Sequence, residues 1–373
     1  MIYLDNAATT RPDDTVLAAM LPYMKESFYN PSASYEEARR VRNQIETQRE
    51  IVARFIGADP GSVYFTSGGT EADNWAIRTA VAGRQGRHII TSAYEHPAVH
   101  NTMKDLESKG YEITYIAPDE DGRIDPHKIG NAVKEDTVLI SVMHANNETG
   151  NINPVAEIGR IAHEKDILFH SDAVQSIGHL RINVIENNID LLSVSAHKIY
   201  GPKGSGFLYV SPELKAGNLL FGGSQESSRR PGTENVPGII GLGKAVEILD
   251  RELDNDRGHD LELKNRLLSL LKEKVSDIKI NGRGDMLPNI LNVTFPQMLS
   301  ENLLFLAGLK GICLSAGSAC ASGAVTPSRT LTSLGLTPDM AMRSIRFSIG
   351  RYNNIEDIDT AAAVIGEIIN NRR

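Results

Sequence analysis

The sequence predicts an α/β protein, with a mainly parallel sheet sandwiched by helices in a large domain and a smaller α/β domain beside it. Three observations predict it. Apolar runs of strand length alternate with longer stretches of helical periodicity, as in repeated βα units. Chemically capable polar residues recur just after those runs, where open α/β sheets carry their ligands. The 373 residues exceed what one ordinary core organises. The large domain is expected over residues 13–249, and the small one over 1–12 and 250–373.

Ile2 to Leu4 is strand-like, and Val16 to Met24 is helical. Glu36 to Ile56 reads as a long polar helix closed by Gly57. Val63 to Thr66 is a strand, and Ser67-Gly-Gly-Thr-Glu71 turns from it directly into a helix reaching Ala82. His88 to Thr91, Thr137 to Met143, Ile167 to His170 and Ile189 to Val194 are strands. Pro154 to Lys165 is an amphipathic helix, and Gly206 to Val210 is a strand after a Gly/Pro turn. Pro237 to Val275 reads as helical but interrupted near Gly258. Leu263, Leu267, Leu270 and Leu271 share one apolar face there. The remainder alternates again. Strands are expected at Ile278 to Ile280, Ile290 to Phe295, Gly311 to Leu314 and Ser344 to Ser348. Helices are expected at Glu301 to Leu309 and from the Asn354/Asp357 capping pair towards Ile369.

Composition narrows the function. Apolar residues make up 41% and charged residues 23%, as in globular proteins. The net charge of −8 disfavours non-specific nucleic-acid binding. No apolar run approaches membrane-spanning length. The start, Met-Ile-Tyr-Leu-Asp5, lacks a basic segment and a long apolar core, so no signal peptide is expected. The two cysteines, Cys313 and Cys320, form neither a metal-ligand pattern nor a disulfide framework, so no metal is expected. A reducing cytoplasm is the expected setting.

The chemistry centres on Ser195-Ala-His-Lys198, at the end of a buried strand. An ordinary lysine beside a turn is exposed. One desolvated in a pocket loses its proton more easily and attacks carbonyls, as a Schiff base with pyridoxal phosphate requires. The other strand ends supply complementary groups. The Gly68-Gly69-Thr70 turn at a helix start suits a phosphate, although the motif is short. His96 offers a flat ring, Asn147 and Gln175 offer amides, and Asp172 offers a carboxylate. Cys313, between Ile312 and Leu314, reads as a small buried core residue. Cys320, in Ser315-Ala-Gly-Ser-Ala-Cys320-Ala-Ser-Gly323, has no bulky anchors around it. A mobile thiol there could reach a bound substrate and carry something away.

Taken together, these motifs resemble the cysteine desulfurases of the NifS/IscS type, in the class V aminotransferase group. The resemblance runs from Tyr3-Leu-Asp-Asn-Ala-Ala-Thr-Thr10 to Ser344-Ile-Arg-Phe-Ser-Ile-Gly-Arg351. It joins the turns at 67–71, 95–96, 146–150, 172–175 and 195–198 with Arg229-Arg-Pro-Gly-Thr-Glu-Asn235 and Gly317-Ser-Ala-Cys320. It implies a homodimer of fold-type I pyridoxal-phosphate transferases, with Lys198 as the Schiff-base lysine. His96 would stack on the cofactor ring, Asp172 would pair with its nitrogen, and Gln175 and Asn147 would contact it. Gly69, Thr70, Ser195 and His197 would hold the phosphate, joined by Thr233 from the other subunit. Arg346 would bind the substrate carboxylate with Asn6 close by.

Under the same resemblance, L-cysteine would leave as L-alanine, with its sulfur held as a persulfide on Cys320. Sulfur-acceptor proteins for iron–sulfur clusters, thio-cofactors or tRNA thiolation would be the partners. The sequence departs from the usual pattern at Tyr35, where relatives commonly have histidine, and at Ser224 and Pro231, where glycine and serine are frequent. Two other readings remain open from residues alone. One is an aminotransferase or a lyase acting on selenocysteine or cysteine sulfinate. The other is a sulfur scaffold or regulatory protein without turnover.

Overall fold

The computed structural model describes residues 1–82, 84–316 and 326–371. A seven-stranded sheet lies at its centre. Its spatial order is Val63–Thr66, Gly206–Val210, Leu191–Ser195, Leu168–Asp172, Thr137–Ser141, His88–Ser92 and Glu112–Ile116. Neighbours pair in parallel except at Gly206–Val210, which runs antiparallel to both its neighbours. The mainly parallel α/β architecture is therefore as the sequence predicts. The exception has a simple cause. Only residues 196–205 separate Ser195 from Gly206, too few for the crossover a parallel return requires.

Alternation along the strands builds two cores. Leu139, Leu168, Leu191 and Leu208 pack with Trp75, Ala76 and Met103 on one face of the sheet. Their neighbours Ile140, Phe169, Leu192 and Phe207 pack on the other, with Val52, Ile158, Ile240 and Leu249. Both faces are covered by helices, which is why these strands read as continuous apolar runs.

A third core surrounds a three-stranded antiparallel sheet of Lys279–Asn281, Ile290–Thr294 and Ser344–Ser348. Helices Ser300–Leu309 and Ile355–Asn370 cover it, and Leu4 joins it from the start of the chain. The Asn354/Asp357 pair forms a reciprocal capping box at the last helix.

Three expectations need correction. Helix Val236–Lys274 is continuous through Gly258. A lone helical glycine costs only about 1 kcal/mol, and packing on either side holds the helix: Leu249 and Leu253 in one core, Leu263, Leu267 and Leu271 in another. The first helical stretch divides at Leu21 into Asp14–Met20 and Pro22–Lys25, because Pro22 has no N–H to continue the ladder. Cys313 is only partly buried, on the short strand Ile312–Cys313 that pairs with Ile2–Tyr3. Among the described residues, no helix is long and apolar enough to cross a membrane.

Candidate active site

The strand Leu191–Ser195 runs into a single tight turn, Ala196–Lys198, which ends its ladder and turns Lys198 into a cleft. The Lys198 ammonium donates to the carbonyls of Ala7 (2.6 Å) and Ala8 (2.7 Å). Burial, and next the positive charge of Arg346, push its pKa down to about 8. About a tenth of the amine is thus free at pH 7.

The preceding strand, Leu168–Asp172, lies next to it in the sheet and ends in a buried carboxylate. The Val174 N–H donates to Asp172 Oδ1 at 2.9 Å. Burial raises the Asp172 pKa, while His96, the Val174 amide and Lys198 oppose the rise. His96 caps helix Pro97–Ser108, and its Nδ1 accepts the Ala98 N–H at 3.1 Å. That bond leaves Nε2 as the nitrogen free to carry a proton. Burial lowers the His96 pKa.

The far end of the cleft is a helix start. Gly68 has φ +151°, a conformation that glycine tolerates, and helix Gly69–Val81 begins at once. Its first amides have no carbonyl one turn earlier, and Gly69 and Thr70 line the cleft. A Cβ on Gly69 would lie 2.6 Å from Val174 Cγ2, so the close approach of helix and strand end requires glycine there. His197 Nδ1 lies 3.1 Å from the Thr9 hydroxyl, and burial lowers its pKa to about 4.

Arg346 arrives from the third core on strand Ser344–Ser348. It donates to the Asn147 carbonyl and to Asp5 Oδ1, each at 2.8 Å. Gln175 Nε2 donates to the Ala7 carbonyl at 2.8 Å.

A cavity of about 330 Å³ gathers ten of the sequence-predicted residues: Gly69, Thr70, His96, Asn147, Asp172, Gln175, Ser195, His197, Lys198 and Arg346. Thr233 is exposed and does not line it. The Asn6 amide turns to the Ser348 carbonyl (3.0 Å) and Asn353 Oδ1 (3.2 Å), beside the cavity wall at Ala7. Cys320 lies outside the described residues. The sequence reading missed Asp73, which lines the cavity, and Asp5, which pairs with Arg346. One signal was available for Asp73: it follows Gly69 and Thr70 by four and three residues, so it shares their helix face.

The donor set fits pyridoxal phosphate. It offers an amine of lowered pKa, a buried carboxylate for a ring nitrogen, an aromatic ring, amides, and a helix N-terminus for a phosphate.

Comparison with known proteins agrees with that chemistry. Residues 2–360 match the aminotransferase class-V family. The chain is 48% identical to a cysteine desulfurase IscS of Methanosarcina thermophila, over 100% of this chain and 93% of that one. A solved NifS-like protein superposes with a TM-score of 0.93 at 36% identity, covering 99% of each chain. A structure described as SspA in complex with cysteine superposes with a TM-score of 0.82 at 37% identity, covering 95% of this chain and 100% of that one.

Proposed function

The chain belongs to the class-V aminotransferase family and is a cysteine desulfurase that depends on pyridoxal phosphate; from that premise we propose how its own residues divide the work. One observation carries the assignment. Lys198, Asp172, His96 and Arg346 come from four separate stretches of chain and face one cavity.

Lys198 Nζ would hold the cofactor covalently, and Gly69, Thr70, Ser195 and His197 would hold its phosphate with the partner's Thr233. Asp172 would face the ring nitrogen and keep a proton there. Gln175 and Asn147 would fix the ring in its plane, and His96 would cover its face. When bound, the cofactor supplies an electron sink that lets the Cα proton of L-cysteine leave and loosens the bond to sulfur.

Arg346 pairs with the substrate carboxylate, exchanging its present bonds to Asp5 and Asn147 for a bidentate one. Once released from its covalent role, Lys198 Nζ takes and returns a proton, for which a pKa of about 8 suits it. His96 Nε2 is the second proton carrier. The Cys320 thiolate attacks the substrate sulfur. The carbon–sulfur bond breaks, its electron pair stays on carbon and takes a proton, and L-alanine leaves while the persulfide remains on Cys320. The sulfur then passes to acceptor proteins that build iron–sulfur clusters or thiolate cofactors and tRNA. A reducing cytoplasm keeps such a thiol available.

The test uses the visible spectrum of the protein with added pyridoxal phosphate, then L-alanine and sulfide produced from L-cysteine with a reductant. Wild type should colour and make both products. Cys320→Ala should bind the cofactor and form no persulfide. Full persulfide formation by that variant would remove Cys320 from its role, and a protein that stays colourless would remove Lys198.

A further inference from the structure

Beneath Asp172 lies a second carboxyl group that the reaction above does not use. Asp73 sits in helix Gly69–Val81, is 1% exposed, and lines the same cavity. One oxygen of Asp73, one of Asp172 and one ring nitrogen of His96 all lie within 4.8 Å of one another. Asp73 Oδ1 has no hydrogen-bond partner among the described residues. We propose that Asp73 is a positioning residue: its carboxyl group keeps a proton, so that the Asp73/Asp172 pair carries one negative charge and Asp172 is the member that bears it.

Two carboxylates this close in a dry interior cannot both ionise, so one proton stays with the pair. The surroundings decide where. Asp172 receives the Val174 N–H and faces Lys198 and His96, all of which favour its charged form. The groups facing Asp73 do the opposite. From strand Leu168–Asp172 come Asp172 itself and His170, whose Nε2 is 3.6 Å from Asp73 Oδ1. His170 is fully buried between the hydroxyls of Ser141 (2.9 Å) and Ser193 (3.0 Å), and its pKa is pushed down to about 3, so it is neutral. From the loop before Pro97 comes Glu95, whose own pKa burial pushes up to about 8 and which, when ionised, disfavours charge on Asp73. From strand Leu191–Ser195 comes the uncharged Ser193 hydroxyl, the one group among the described residues that favours it. His96, within the same 4.8 Å, has its own pKa lowered by burial, and among the described residues no lysine or arginine pairs with Asp73, whose pKa burial raises strongly.

The consequence reaches the cofactor through Asp172. A neutral acid beside Asp172 keeps its charge undivided and fills the space beneath it. An ionised Asp73 would make Asp172 take the proton, and a protonated Asp172 holds a ring nitrogen's proton poorly. This inference rests on the proposal that Asp172 faces the ring nitrogen.

The experiment compares wild type, Asp73→Ala and Asp73→Asn. In cofactor-free protein near neutral pH, infrared difference spectra of wild type against Asp73→Asn should show the band of a protonated carboxyl that the variant lacks. Asp73→Ala should weaken pyridoxal phosphate binding about tenfold, as loss of a supporting partner does elsewhere. Asparagine, neutral and of the same shape, should recover most of that loss and return the pH midpoint of the bound cofactor's absorbance towards the wild-type value. The proposal is overturned if no protonated band is lost, if asparagine is as damaging as alanine, or if alanine costs nothing. Should Asp73→Ala not fold, the infrared band and the asparagine variant still decide. If wild type binds no cofactor, the functional reading fails, while the infrared result on cofactor-free protein still locates the proton.

Discussion

Arg346 is the largest charge acting on the Lys198 amine, and that fixes the sign of a pH effect. Lys198 loses its proton as pH rises through about 8. The rate at which cofactor-free protein captures pyridoxal phosphate should therefore rise with pH, with a midpoint near that value, because only the free amine attacks a carbonyl. Arg346→Gln removes a positive charge that disfavours the ammonium and also releases Asp5, whose negative charge favours it. Both changes raise the lysine pKa, so the midpoint should move up. Stopped-flow absorbance at several pH values measures it, and a midpoint that stays or falls would show that Arg346 does not set the lysine's charge. At this scale the sequence was informative wherever a polar residue follows a strand. Pattern locates the strand end, and the sheet then brings the ends together, as it does for His96, Asp172 and Lys198. It was silent where the contact belongs to the backbone, as with the Ala7 and Ala8 carbonyls that hold Lys198. It was equally silent where a helix must pack before its buried face is known, as with Asp73.

Among the elements, helix Val236–Lys274 carries the plainest prediction. Gly258 lies in its interior with ordinary helical backbone, and nothing stands within 4 Å of the place a Cβ would occupy. Gly258→Ala should stabilise the protein by about 0.5–1 kcal/mol, through lower backbone entropy in the unfolded chain. Chemical denaturation measures this, and destabilisation would mean that the helix bends or opens there. The glycine misled the sequence reading because a local rule was applied to a helix held by two cores. Its packing changes between Leu253 and Leu263, and we propose that change as the domain division. Two other elements escaped notice for different reasons. Strand Glu112–Ile116 lies at a sheet edge and has only one buried residue, so it lacks an apolar run. Helix Pro126–Ala132 has seven residues, too few for a helical period to stand out. The antiparallel return of Gly206–Val210 was legible only as a short connection.

At the scale of the whole molecule, the loop that ends in Thr233 is fixed at two points. The Glu226 carboxylate is buried against Arg49, accepting from Nη1 and Nη2 of the guanidinium at 2.8 Å each and from the Phe65 N–H at 2.8 Å. Three successive non-glycine residues, Glu226, Ser227 and Ser228, hold left-handed backbone beside it. Arg230 then pairs with Glu71, in the first turn of the helix at the cleft. Between these anchors and helix Val236–Lys274, Thr233 is exposed and absent from the wall of its own chain's cavity. A rigid, presented hydroxyl of this kind suits a neighbour's phosphate, and a two-fold dimer would give each subunit the other's Thr233. Mixed dimers decide the matter. Lys198→Ala subunits should be inactive, and Thr233→Ala subunits should bind the cofactor about fivefold more weakly, the loss of one hydrogen bond. In a hybrid of the two, one site lacks both groups, while the other combines the native Lys198 of one subunit with the native Thr233 of its partner. Hybrid dimers should then recover about half of wild-type activity at limiting cofactor, from one restored site in two. If Thr233 instead served its own chain, the only site with a lysine would still lack the threonine, and mixing would restore nothing beyond the Thr233→Ala level.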